Sequence, residues 1–161
     1  MPGAEIKVAV EIWIAAATLH RRHPQRLSFN ATEVFNEVSR LNLSGSIRAG
    51  VGPHVSLHCV ANSAPNTARY RMLYRLPDKT LRLYRPGDPA HPGPTGRSAP
   101  DRHEMPPEHR ALLDWYEKEY ATRPKTDAAN GDSWIDRIRG LGKHIWADTT
   151  ADDWVAELRR G

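Results

Sequence analysis

At 161 residues with a formal net charge of +4, the chain can hold one respectable core plus an appendage, or two small domains. A hydrophobic share of 39%, below the globular average, together with 13 prolines points to a good deal of irregular structure. A single cysteine, Cys59, excludes an intramolecular disulfide framework, and no apolar run approaches the roughly 20 residues that a membrane helix needs.

The opening residues carry no basic stretch followed by an apolar core, so no signal peptide is expected, and the reading is a cytoplasmic protein away from membranes. Ile6, Val10, Trp13, Ile14 and Ala17 recur at helical spacing and predict an amphipathic first helix over residues 5–20, stopped by Pro24. His20 and His23, three apart on its last turn, are expected to complement the helix C-terminal dipole rather than hold a metal. A second helix follows from Asn30 as N-cap, Glu33 at N3, and Phe29 and Val34 in staple positions. Val34, Phe35, Val38 and Leu41 form its apolar face, and Asn42 with Ser44, Gly45 and Ser46 ends it.

A third helix is expected over residues 51–60, with Val51, Val55 and Cys59 facing inward. His54, Ser56, Leu57 and His58 are left outward, where they would enter a major groove if this is a recognition helix. Two strand-like runs, 69–76 and 80–85, are joined by the turn Leu76-Pro77-Asp78-Lys79. In them Tyr70, Met72 and Tyr74 alternate with Arg71, Leu73 and Arg75, and Leu81 and Leu83 alternate with Arg82 and Tyr84. Such period-two patterning suits a half-buried ribbon. Between Asn66 and Arg85 there are six cations, Arg69, Arg71, Arg75, Lys79, Arg82 and Arg85, against Asp78 alone, which favours a polyanion such as nucleic acid. Arg69, Arg71, Arg75, Lys79 and Arg82 are therefore the expected backbone-phosphate contacts, with His54, Ser56 and His58 in the groove. The tyrosines are read as packing groups.

Residues 86–107 are rich in proline and glycine, and their composition fits either disorder or an ordered strap over the core. Pro107 at an N1-like position begins a helix over 108–121, with Leu112, Leu113, Trp115, Tyr116 and Tyr120 as packing groups, expected to close the domain against the first helix. The predicted fold is α+β, mainly α: a winged helix-turn-helix domain over 1–121 with a β-hairpin wing and an extra closing helix. A linker over 122–132 then leads to a short helical tail, 133–161. The tail carries Trp134, Ile135, Ile138, Leu141 and Ile145, and then Trp154, Val155 and Leu158 behind the cap Thr150. With no core of its own, it reads as a partner-binding segment or as one that packs back on the first domain.

The run His58-Cys59-Val60-Ala61-Asn62, followed by Pro65-Asn66 and Arg69-Tyr70-Arg71-Met72-Leu73, resembles a group of prokaryotic proteins that look like winged-helix DNA binders. Arg85-Pro86-Gly87-Asp88 and Leu113-Asp114-Trp115-Tyr116 are similar to the same group, which implies a fold but no settled function. The run from Arg139 through Lys143 to Trp146, with Asp152-Asp153-Trp154-Val155 and Leu158-Arg159, resembles the tails of antitoxins that pair with PIN-domain ribonuclease toxins of the VapC type. That resemblance implies a tail wrapped on a toxin, with a basic side chain replacing the divalent cation among its clustered carboxylates. Arg139 and Lys143 stand at the matching positions, and Trp134, Ile138, Trp146, Trp154 and Leu158 would supply the apolar contacts.

No Walker loop, GxSxG or CxxC occurs, and Asp101, His103 and Glu104, or Asp88 with His91, match no nuclease signature. The chain is therefore expected not to be an enzyme and to need no cofactor or metal. The reading is a double-stranded-DNA-binding antitoxin and autorepressor, expected as a homodimer on paired half-sites. The alternatives are a DNA-reading module, such as a transcription regulator or restriction-system accessory, and a protein-interaction adaptor.

Overall fold

Fifteen residues, Val8–Arg22, form helix α1, and in the computed structural model, which describes residues 5–62, 70–90 and 96–123, nearly all of them are covered. Ala9, Val10, Glu11, Ile12, Trp13, Ile14, Ala15, Ala16, Ala17, Leu19 and His20 are buried. A helix apolar all round belongs inside a protein rather than on its surface. The expected amphipathic helix with one apolar face is thus corrected to a central helix. The reason is that cover arrives from several sides: Tyr116 meets Trp13 edge-to-face at 5.5 Å, while Phe29 and Tyr120 close on His20 at 5.0 and 4.9 Å.

Helix α2, Ala31–Leu41, forms as its local sequence dictates. Asn30 Oδ1 accepts the Glu33 N–H at 2.8 Å, and Glu33 Oε2 accepts the Asn30 N–H at 2.8 Å, satisfying two of the donors that a helix start leaves open. Asn42 ends it in the left-handed region (φ 46°), with its N–H on Val38 O at 3.0 Å. Val34 and Val38 are buried, with Phe35 and Leu41 packed beside them.

The third helical segment starts as a turn of α-helix, α3, Val51–Pro53, and continues as a π-helical turn, His54–His58. Val51, Val55 and Cys59 face inward as expected. The path is wider and shorter than the regular helix to residue 60: the Cys59 N–H reaches His54 O at 3.0 Å, one residue beyond the α-helical acceptor. The chain past His58 is drawn instead into strand pairing. Cys59 O accepts the Leu73 N–H at 2.8 Å, and Ala61 N–H donates to Leu73 O at 2.7 Å.

Strands β1, Leu73–Arg75, and β2, Leu81–Leu83, pair antiparallel, with Leu73 opposite Leu83, Tyr74 opposite Arg82 and Arg75 opposite Leu81. Isolated bridges extend this ribbon on both edges, Val60 beside Leu73 in parallel and Phe29 beside Leu81 antiparallel. The hairpin closes through Leu76 N–H to Thr80 O and Lys79 N–H to Leu76 O, both 2.9 Å, with Lys79 at φ 68°. A type I turn followed by a left-handed residue has this pattern. Asp78 Oδ1 accepts the Thr80 N–H at 2.9 Å and its hydroxyl at 2.5 Å, and the Thr80 hydroxyl oxygen lies 2.7 Å from Ser28 Oγ, whose proton it can accept.

Beyond β2, Asp88 is buried and draws the chain into a tight turn. Of the two readings of the proline-rich crossing, an ordered strap holds for residues 86–90 and 96–107. Its later part pairs with the hairpin through Arg71 N–H to Arg97 O at 3.0 Å, and Lys7 Nζ reaches Glu104 Oε1 at 2.5 Å. The closing segment is composite: a 3-10 turn Pro107–His109, a short helix α4 Ala111–Trp115 and a π turn Tyr116–Tyr120. It docks on α1 as expected, and its tyrosines also hold the end of the hairpin. Tyr120 Oη donates to Leu83 O at 3.2 Å, and Tyr116 Oη donates to Tyr84 O.

The described residues are therefore α+β and mainly helical, with one two-stranded antiparallel hairpin. None of their helices is long and apolar enough to cross a membrane. By its own contacts the chain divides into two units, Met1–Arg123 and Pro124–Gly161. Residues 124–132 of the linker, the tail helices and the residues expected there to bind a partner, Trp134, Ile138, Arg139, Lys143, Trp146, Trp154 and Leu158, lie outside the described residues.

Candidate nucleic-acid interface

The outward side of the third helical segment carries His54, Ser56 and His58. His54 is half-buried, its Nδ1 2.8 Å from Gly50 O. A carbonyl oxygen only accepts, so Nδ1 carries the proton there, and in the neutral ring Nε2 keeps its lone pair. His58 lies one turn on, its ring 4.9 Å from that of His54. Ser56 is exposed, and its hydroxyl donates back to Gly52 O at 3.0 Å. The segment thus presents two imidazoles together on one flank and a hydroxyl on the other, with His54 Nε2 and the Ser56 oxygen left able to accept toward a base edge.

The hairpin residues divide into two groups. Lys79 is exposed at the tip, on the turn that Asp78 and Thr80 pin in place. Arg71 and Arg75 are half-buried on the first strand and its approach. Arg75 donates to Ser56 O, the residue between the two histidines, so one cation of the hairpin rests on the third helical segment itself. Arg69 lies outside the described residues.

Arg82 is a correction. It was expected on a phosphate, but it is 3% exposed and its guanidinium meets Asp88 end-on, Nη1 to Oδ2 at 2.7 Å and Nη2 to Oδ1 at 3.0 Å. The same carboxylate accepts the Arg85 N–H at 2.7 Å, and the Arg82 guanidinium stacks 4.5 Å over the Tyr74 ring. A paired arginine at this depth closes the back of the hairpin and is not available to a polyanion. Arg85 is buried too, 4.7 Å over the Tyr120 ring. The basic stripe counted in the sequence is therefore thinner on the surface, because strand alternation shows that two faces exist but not that both are covered.

His20 also departs from expectation. It does not complement a solvated helix end: Nε2 accepts the Leu83 N–H at 3.3 Å. Burial first, and then the charges of Arg85 and Arg82, pull its pKa down to about 3, so the ring is neutral. His23 is exposed and leans on Phe29.

Asp101, His103 and Glu104 bring three ligand-type atoms within 4.8 Å of one another, but the carboxylates already serve cations. Glu104 takes Lys7 and Arg97, and Asp101 takes Arg97. The Lys7 ammonium, foremost, holds the Glu104 carboxyl down at about 2. The cluster braces the strap to the chain entering α1.

Asn62 was missed by sequence reasoning. Its carboxamide grips the backbone of Arg75 from both sides, donating to Arg75 O at 2.7 Å and accepting the Arg75 N–H at 2.8 Å. An asparagine in a loop is ordinary, and only the pairing of residues 59–61 with β1 makes this one a strand partner.

Comparison of the chain with models of known protein families, with curated proteins and with solved structures found no match.

Proposed function

We propose that residues 1–121 form a winged-helix module that binds double-stranded DNA. The third helical segment would enter the major groove through His54, Ser56 and His58, and the hairpin would act as a wing on flanking phosphates. The observation that carries this reading is the arrangement around Ser56. The third helical segment, with its paired imidazoles, stands next to a hairpin whose exposed tip bears Lys79, and Arg75 joins the two by donating to the Ser56 carbonyl. The order of elements supports it: two helices, a third helical segment and then a hairpin tied back to Phe29 between the first two. Phosphate contacts from Arg71 and Lys79 would set affinity and register, and the helical face would supply sequence choice.

The test is titration of duplex DNA across a salt series. Arg71→Ala and Lys79→Ala should each lessen the slope of log affinity against log salt by about 0.9, the value for one neutralised phosphate. Duplex binding that is absent or indifferent to salt overturns the reading.

The likeness of residues 139–159 to antitoxin tails supports a second part of the proposal. In it the tail neutralises a PIN-domain ribonuclease, with Arg139 or Lys143 in the toxin's acidic metal site, and the DNA-binding half represses the pair's own operator. The protein is then a regulator rather than an enzyme and takes no cofactor. Removing residues 131–161 should spare DNA binding and abolish neutralisation of a co-encoded ribonuclease. A truncated chain that still neutralises overturns the antitoxin assignment and leaves a DNA-reading module.

A further inference from the structure

We propose that Asn62 is a positioning residue that sets the hairpin against the third helical segment, so that the wing and the groove-facing side chains meet DNA in one register. The inference rests on the DNA-binding reading above. Once past His58, the chain runs beside β1. Val60 stands opposite Leu73 in parallel, Leu73 N–H donates to Cys59 O at 2.8 Å, and Ala61 N–H donates to Leu73 O at 2.7 Å.

Among the described residues, no backbone rung continues this pairing at Arg75. The Asn62 carboxamide takes its place, holding Arg75 O at 2.7 Å and the Arg75 N–H at 2.8 Å. A primary amide carries a donor and an acceptor side by side, as a peptide group does, so it extends a ladder by one rung without a further strand residue. Arg75 then closes the circuit, because its guanidinium donates to the Ser56 carbonyl in the last turn before the chain leaves the helix. Carbonyls at a helix C-terminus lack intrahelical partners and carry partial negative charge, so a cation is favoured there.

The circuit from Ser56 through Cys59 and Asn62 to Arg75 and back fixes both the distance and the tilt of the hairpin relative to His54 and His58. Lys79 lies four residues beyond Arg75, on a turn held by Asp78 and Thr80. A change at Asn62 therefore moves the tip without touching it. Phosphates on a duplex stand at fixed distances from the groove floor, and contacts to them set register. A wing that swings loses them.

The experiment measures duplex binding over a salt series for the full chain, Asn62→Ala, Lys79→Ala and the double variant, at a temperature where thermal melting shows each to be folded. Asn62→Ala removes no charge. It should nonetheless weaken binding about tenfold and lessen the salt slope by about 0.9, as Lys79→Ala does, because the tip no longer reaches its phosphate. The double variant should show no greater loss of slope than either single one. If Asn62→Ala does not fold, Asn62→Gln keeps the amide but displaces it by one methylene, and it should show the same loss of slope. A folded Asn62 variant that keeps both affinity and slope, from a parent chain that binds duplex, overturns the clamp alone. A parent chain that does not bind duplex overturns the DNA-binding reading and the clamp together.

Discussion

His20 lies between Phe29 and Tyr120 with Arg82 and Arg85 nearby, and its depressed pKa makes folding stability depend on acid. The unfolded chain takes up this proton near pH 6.5 and the folded chain only near pH 3, so between those values the unfolded state binds more protons. Stability should therefore fall as pH is lowered from 6.5, by at most about 1.4 kcal/mol per pH unit from this one group. Glu37 adds a later loss. Arg40, foremost, and Arg22 hold its carboxyl down at about 2, so its contribution fades only below about pH 4.5. Urea unfolding across pH should show the His20 phase alone between pH 6.5 and 5, and His20→Gln should flatten it. An unchanged slope would place that proton elsewhere. Cys59 offers a second measurement. Burial pushes its thiol up to about 12, so at pH 8 a thiol reagent should label it only as fast as the protein unfolds. None of this was legible from spacing: His20 and His23 look alike as a pair three apart, and only a tyrosine about a hundred residues later, reached through long-range packing, decides which of them is buried.

Among the elements, α2 was the most legible, because a capping box and a staple act within one turn of chain. Asn30→Ala should cost about 1 kcal/mol, read as a small drop in melting temperature. The hairpin was legible in its strands and turn but not in its exposure. Residues 81–85 alternate as a half-buried ribbon would, yet Leu81, Arg82, Leu83, Tyr84 and Arg85 are all buried. The second face is covered by the strap and the closing tyrosines, which alternation within one strand cannot report. Arg82 and Asp88 bear the consequence. Asp88→Asn removes the carboxylate that meets the buried Arg82 guanidinium and should cost about 3–5 kcal/mol, several times the loss at Asn30. Chemical denaturation of the two variants side by side checks that ranking, and an Asp88 variant no worse than Asn30→Ala would show that the pair is solvated in solution. The third helical segment was half legible. Its inward residues Val51, Val55 and Cys59 follow from periodicity, but its π turn depends on β1 capturing the chain at Cys59, a tertiary effect that overrides local preference.

At the scale of the molecule, the order of elements and the docking of the closing segment on α1 were readable from apolar periodicity and from Pro107. The candidate interface was readable in its helical half and its wing tip. The clamp at Asn62 was not, because a polar loop residue becomes a strand partner only through the pairing around it. With α1 covered on nearly every side, its amides should be among the slowest to exchange with deuterium, opening only when the whole domain unfolds. Native-state exchange that found α1 opening at a lower free energy than α2 would contradict a central helix.

That burial also has a consequence in time. The side chains that sheathe α1 come from Phe29, the hairpin and finally Tyr116 and Tyr120, and a ribosome makes the last of these long after it has made Trp13. Until then the nascent chain carries a largely apolar helix without its cover, the kind of surface that chaperones hold and that aggregates when left bare. A chain stopped at residue 106 should be made in full and recovered in the pellet, whereas one stopped at residue 123 should stay in solution. Birth order runs from α1 to the closing tyrosines, and folding must wait for the end to shelter the beginning.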